Sequence, residues 1–132
     1  MAFIAVQYAA IQGLRVVAID TGEDKRKLVL DLGAEKWIDY KESKDIVADV
    51  VAATDGGAHA AVVIAGSRSA FDQAAGYLRN TGTLVVVGLP KDGMLSVPTV
   101  LLAGKVSSVA NVSLGFGRCN LVVLRVSRSV GF

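Results

Sequence analysis

The chain has 132 residues, enough for one domain with a buried core. Hydrophobic residues make up 52% and the net charge is only +2, which excludes a disordered chain and gives no general pull toward nucleic acid. A single cysteine, Cys119, excludes an internal disulfide and a zinc site built from several cysteines of this chain.

The elements follow in chain order. Residues 3–12, rich in Ala and free of Gly and Pro, suit a helix that Gly13 can close with a positive φ. Leu14 to Ile19 is a short apolar, β-branched run, the pattern of a strand buried on both faces, and it ends at Asp20. Residues 23–32 read as a second helix, acidic at its start and closed by Gly33. Trp37 to Asp39 suits a short strand. Residues 44–53 read as a third helix with Ser43 as N-cap.

Thr54 to Gly57 is turn chemistry. Ala60 to Ala65 is a second buried strand, and residues 70–79 a fourth helix. Asn80 to Gly82 reads as a turn, and Thr83 to Val87 as a strand closed by Gly88. Alternation of this kind predicts an α/β fold with a mostly parallel sheet, its strands near 14–19, 60–65 and 83–88. The 14 glycines suit its tight strand–helix turns.

The charge is unevenly spread. Residues 93–132 carry Lys105, Arg118, Arg125 and Arg128 and no acid. These bases are scattered among Val and Leu, without the density or aromatic interleaving of a nucleic-acid patch. No apolar run reaches the ~18–20 residues of a membrane span. No basic cluster precedes the first apolar stretch, as a signal peptide requires. A chain without disulfides suits a reducing compartment, and a cytoplasmic location is expected.

The chemistry starts at Asp20. In a dinucleotide-binding unit a Gly-rich turn presents a helix N-terminus to the pyrophosphate. An acid at the tip of the second strand, about 20 residues further on, accepts hydrogen bonds from the adenosine ribose. Asp20 stands at such a tip. It can equally be an Asp that ends a strand in a turn.

Five blocks lie in order here: VQYA at 6–9, GLRVVAIDTGEDK at 13–25, LGAEKWIDYKESKDIVADV at 32–50, ATDGGAHA at 53–60 and TGTLVVVGLP at 81–90. Together they closely resemble the cofactor domain of fungal zinc-dependent, medium-chain alcohol dehydrogenases. The resemblance covers about residues 3–105 and leaves 106–132 as a divergent C-terminal segment. It implies a Rossmann-like, doubly wound parallel sheet that lacks its first strand and its glycine turn, both of which would precede Met1. It also implies that the strands at 14–19 and 60–65 each lose a neighbour, so that their N–H and C=O groups need another partner.

The resemblance implies NAD as cofactor. Asp20 and Lys25 would hold the adenosine ribose, and Val87 and Leu89 would lie against the nicotinamide. Ala2 would take the last glycine position of the fingerprint. Ala65 falls where the family often has a small polar residue. Val87 and Leu89 can also be plain core, and Lys25 a solvated helix residue. His59, the only histidine, and Cys119 read as structural residues.

The family oxidises small alcohols to aldehydes with a zinc ion that polarises the substrate oxygen. Its zinc ligands precede the cofactor domain, so this chain would hold no metal ligand and no catalytic residue, and would be inactive alone. Two alternatives stay open. One is a piece of a zinc-free, NADPH-linked medium-chain reductase, against which the Asp20 carboxylate argues. The other is a truncated, non-catalytic product that associates with full-length subunits. The loss of acids after residue 105 suits a stretch read outside the family's frame.

Overall fold

The computed structural model describes residues 2–64, 67–87, 99, 103, 106–112 and 121–125. They alternate as the sequence predicts: α1 (Ala2–Ile11), β1 (Arg15–Asp20), α2 (Glu23–Asp31), β2 (Lys36–Asp39), α3 (Ile46–Ala53), β3 (Ala58–Val63), α4 (Arg68–Tyr77) and β4 (Leu78–Val87). Two further strands follow, β5 (Val106–Val112) and β6 (Leu121–Arg125). They lie in the segment that the sequence leaves without a reading.

All six strands form one sheet, in the order β2-β1-β6-β3-β4-β5. The pairs β1–β2, β3–β4 and β4–β5 are parallel. β6 lies between β1 and β3 and runs antiparallel to both. The partner that the inner strands require therefore comes from the same chain.

β1 shows why the layers form. Val16 to Asp20 are all buried, so both faces of the strand are covered. Val16 and Ala18 face a cluster with Val6 and Ala9 of α1 and Val29 of α2. Val17 and Ile19 face the other cluster, with Val50 of α3 and Phe71, Ala74 and Tyr77 of α4. The alternation of one strand thus divides two cores, with helices on either side of the sheet. Trp37 on β2 is partly buried against the α1–α2 cluster.

Three boundaries correct the sequence reading. Helix α3 starts at Ile46, and its N-cap is Asp45 rather than Ser43: Asp45 Oδ1 accepts from the Ala48 N–H at 3.1 Å. The Ser43 hydroxyl instead donates to the Asp49 carboxylate. β3 and α4 both begin two residues earlier than read. The turn at 54–57 forms as read, with positive φ at Asp55, Gly56 and Gly57, and it releases the chain directly into β3. At Gly57 a Cβ would sit 2.9 Å from the Arg79 backbone N, so only glycine fits there.

Asn80 to Gly82 fall inside β4, where the ladder with β3 steps from Ala58–Leu78 to Ala60–Thr83, so residues 79–82 leave it in a turn-like excursion. The register against β5 shifts between Gly82 and Thr83, and Thr81 has φ 65°. The conformations that mark a turn in sequence are absorbed as an irregularity inside a long strand.

Phe71 and Tyr77 are the largest side chains of the α3–α4 core, both fully buried. No described residue hydrogen-bonds the Tyr77 hydroxyl, and burial pushes its pKa well above the ordinary phenol value. The two positions should respond oppositely. Phe71→Ala opens a cavity and should cost about 3–5 kcal/mol in urea unfolding. Tyr77→Phe removes an unpaired buried hydroxyl and should leave stability within about 1 kcal/mol or raise it. A loss above that range for Tyr77→Phe would mean that the hydroxyl has a partner.

Candidate functional site

Asp20 is the last residue of β1 and is 7% exposed. Gly22, at φ 112°, turns the chain from the strand into α2 and serves as that helix's N-cap. Glu23 and Asp24 follow in the first turn, where acids favour the positive end of the helix dipole. Lys25, one step further, brings its Nζ to 3.1 Å from Asp20 Oδ2. The contact is an ion pair, but its angles do not make a hydrogen bond, and Oδ2 accepts none from any described residue. A buried carboxylate oxygen thus lies beside an ammonium, with an acceptor position that no described residue fills.

A second acid stands beside it. Asp39 ends β2 and is the register partner of Asp20. The Lys41 N–H donates to Asp39 Oδ1 at 2.9 Å, and the Thr21 hydroxyl donates to Oδ2 at 3.1 Å. The Lys41 backbone bond, helped by Thr21 and the Gly22 N–H, holds the Asp39 pKa below the usual carboxylate range. The Tyr40 N–H donates to the Asp20 carbonyl at 3.2 Å, so the two strand ends are tied together. Sequence reasoning passed over Asp39. The signal was available: like Asp20, it is an acid at the tip of an apolar strand.

Val87 ends β4 and lies half-buried at the same carboxyl edge of the sheet. It stands three strand positions from Asp20, a separation of roughly 14 Å at ordinary strand spacing. Helix α1 leads through Gly13 into the start of β1, so its first residue, Ala2, lies toward that carboxyl edge too. Ala2, Asp20, Lys25 and Val87 therefore share one edge, and only Asp20 and Lys25 touch. Leu89 and Ala65 lie outside the described residues.

His59 belongs to the other half of β3. Its Nε2 is 2.9 Å from Arg79 Nη1, and Arg79 Nε donates to the Gly57 carbonyl at 3.1 Å. Nearby at the amino edge, Arg15 bridges Glu35 and Asp55, which raises its pKa chiefly through the Glu35 hydrogen bonds. These contacts tie strand starts and loops together. An open groove of about 560 Å³ runs along β2 between α2 and α3, past Arg26, Trp37 and Asp49. It reaches Asp39 but neither Asp20 nor Lys25.

A zinc ion does not fit the described residues. No three His, Cys, Asp or Glu side chains among them converge on one point. A dinucleotide fits better: a buried acceptor at a strand tip, a cation beside it, a helix start and an apolar strand end all lie along one edge.

Residues 2–120 match the family described as zinc-binding dehydrogenase. The chain is 50% identical over 99 residues to alcohol dehydrogenase 1 of Emericella nidulans, covering 74% of this chain and 28% of that protein. It is 41% identical over 112 residues to an alcohol dehydrogenase of Schizosaccharomyces pombe, covering 85% of this chain and 32% of that one. Among solved structures it is similar to an alcohol dehydrogenase zinc-binding domain protein from Burkholderia ambifaria, with TM-score 0.76, 30% identity and coverage of 83% and 30%. The chain thus spans about a third or less of the length of these proteins.

The Asp39 shift has a pH consequence. A carboxylate whose folded pKa is depressed adds stability above its unfolded value near 4, lost as pH falls through the folded value. Urea unfolding between pH 6 and pH 3 should therefore show a steeper acid loss for the native chain than for Asp39→Asn. Equal slopes would show that the Lys41 and Thr21 contacts do not favour the charged form.

Proposed function

The chain belongs to the zinc-binding dehydrogenase family, and on that premise we propose that it is the NAD(H)-binding portion of a zinc-dependent alcohol dehydrogenase that oxidises small primary alcohols to aldehydes. The observation that carries the reading is the Asp20–Lys25 pair at the end of β1. Asp20 accepts from the adenosine ribose hydroxyls, and Lys25 neutralises the carboxylate while reaching the same ribose. A carboxylate at that point repels the extra phosphate of NADP, which supports NAD over the phosphorylated cofactor. Val87 forms an apolar wall for the nicotinamide, the role that the resemblance also gives Leu89, and Ala2 lies at the helix start that faces the pyrophosphate.

Bound NAD supplies the ring that takes up hydride. The residues of this chain bind and orient it. Polarising the substrate oxygen is the task of zinc, for which the described residues offer no ligand set. The catalytic step therefore needs protein beyond them, and association with full-length subunits is one source.

Strand order supports the doubly wound reading. In such a sheet the order is 3-2-1-4-5-6. Here β2, β1, β3, β4 and β5 fall on positions 3, 2, 4, 5 and 6, and β6 falls on position 1 with reversed direction. We read that position as the place of a parallel first strand with its glycine turn; β5 on position 6 and the family match through residue 120 support a cofactor domain that runs past residue 105. No helix among the described residues is long and apolar enough to cross a membrane, and we place the protein in the cytoplasm.

Two measurements test this. First, residues 3–105 joined to the preceding part of a related fungal enzyme should give a dehydrogenase that prefers NAD. Asp20→Asn should narrow the ratio of NAD to NADP dissociation constants by about 1–3 kcal/mol, roughly 5–150-fold. Equal constants before the substitution would remove Asp20 as the ribose ligand. Second, the purified 132-residue chain should hold no stoichiometric zinc and show no ethanol oxidation. Turnover abolished by a chelator would place the zinc chemistry within this chain.

A further inference from the structure

β6 is the one strand, among those described, that runs against its neighbours. β1 and β3 flank it and point the same way, as do β2, β4 and β5. The gap that β6 fills is one strand wide, about 10 Å from β1 to β3. Five residues close it on one side, Arg15–Ile19 against Arg125–Leu121. Four close it on the other, Ala60–Val63 against Leu124–Leu121. Val123 stands at the middle, opposite both Val17 and Ala61.

The backbone of β1 shows what the gap demands. The carbonyls of Val16 and Asp20 accept from Glu35 and Tyr40, on the β2 side. By the alternation of a strand, the N–H and C=O of Val17 and Ile19 point the other way, to β6. Both residues are buried in the closed sheet, where these groups face the β6 backbone and need its donors and acceptors. The gap thus recognises extended backbone from both sides. Residues 121–125, LVVLR, are apolar but for the last and carry the β-branched character that a buried strand favours.

We propose that the gap between β1 and β3 is a strand-acceptor site, which the chain closes on itself with residues 121–125 and which takes the same segment from a second molecule when its own is withdrawn. Recognition is by main-chain pairing on two edges at once, which gives little selection for strand direction. That accounts for a reversed strand in a slot flanked by parallel ones. Only eight residues separate β5 from β6, and a short tether sets an effective concentration on the order of mM. Closure within one molecule therefore prevails over exchange at ordinary protein concentrations. The proposal requires no cofactor; where a longer protein supplies a parallel first strand, that strand competes for the same gap.

Direction and partner can be read by cross-linking in the full chain with Cys119→Ser. Paired residues in an antiparallel ladder bring Cα atoms within disulfide range, whereas a displacement of three residues along a strand, about 10 Å, does not. Ala60→Cys with Leu124→Cys should oxidise to an intramolecular disulfide. Ala60→Cys with Leu121→Cys, the pair that a parallel strand would bring together, should not. A disulfide in the second pair, or a disulfide found only between molecules, overturns closure in cis.

Acceptance of a second strand is read with a labelled peptide of residues 118–128 carrying Cys119→Ser. Val123→Pro withdraws the chain's own strand by removing its central N–H donor. That variant should bind the peptide at least tenfold more tightly than the oxidised Ala60→Cys, Leu124→Cys chain. Equal binding by the two, or no binding by a variant that keeps its far-UV dichroism, overturns the acceptor site. Should Val123→Pro unfold the chain, Val123→Gly, which keeps the N–H but weakens the strand, carries the same comparison.

Discussion

A sheet buried on both faces leaves its backbone no water to bond with. Every N–H and C=O in the middle of such a sheet must find another strand. That requirement governs this molecule. β1 is covered by α1 and α2 on one face and by α3 and α4 on the other. β2 satisfies one of its edges, and β6 satisfies the other. β3 is placed in the same way between β4 and β6. The helices pack on strands held flush, so one short strand far along the chain conditions the packing of elements that precede it.

The same geometry positions the candidate cofactor site. Parallel strands deliver their carboxyl ends to one edge, where the chain turns toward the next helix. Asp20 and Asp39 arrive there side by side because β1 and β2 pair in register to their last residues. The two acids then diverge in character. Asp39 is satisfied by Lys41, Thr21 and Gly22 from its own neighbourhood and serves the turn. Among the described residues the Asp20 side chain meets the ammonium of Lys25, and its Oδ2 accepts no hydrogen bond from them. That difference, and not an acid at a strand tip as such, is what makes Asp20 rather than Asp39 the candidate ligand contact.

Much of the fold was legible because strands buried on both faces announce themselves as unbroken apolar runs. RVVAI and AAVV could be read without any knowledge of their neighbours. Helix starts were less legible, because Ser43 and Asp45 are both good caps and only tertiary packing chooses between them. Asn80-Thr81-Gly82 carried a turn signal, but nothing local shows that the excursion lies within one strand rather than between a helix and a strand. β6 was illegible for a different reason. LVVLR has strand character, but nothing local says which strands it will pair with or in which direction. Family resemblance singled out Asp20 and Lys25 as ribose contacts but not their ion pair, whereas Asp39 shows the same local pattern and went unread.

Trp37 is the only tryptophan, and it packs on the α1–α2 side of the sheet. Tyr77 is buried in the opposite layer. The molecule is therefore built with an optical asymmetry: indole emission reports the environment of one face, while the other face carries no tryptophan. Emission tracks the loosening of one helical layer, and ellipticity averages over both. Coincident melting by the two signals is the mark of a single cooperative unit, and divergence the mark of two.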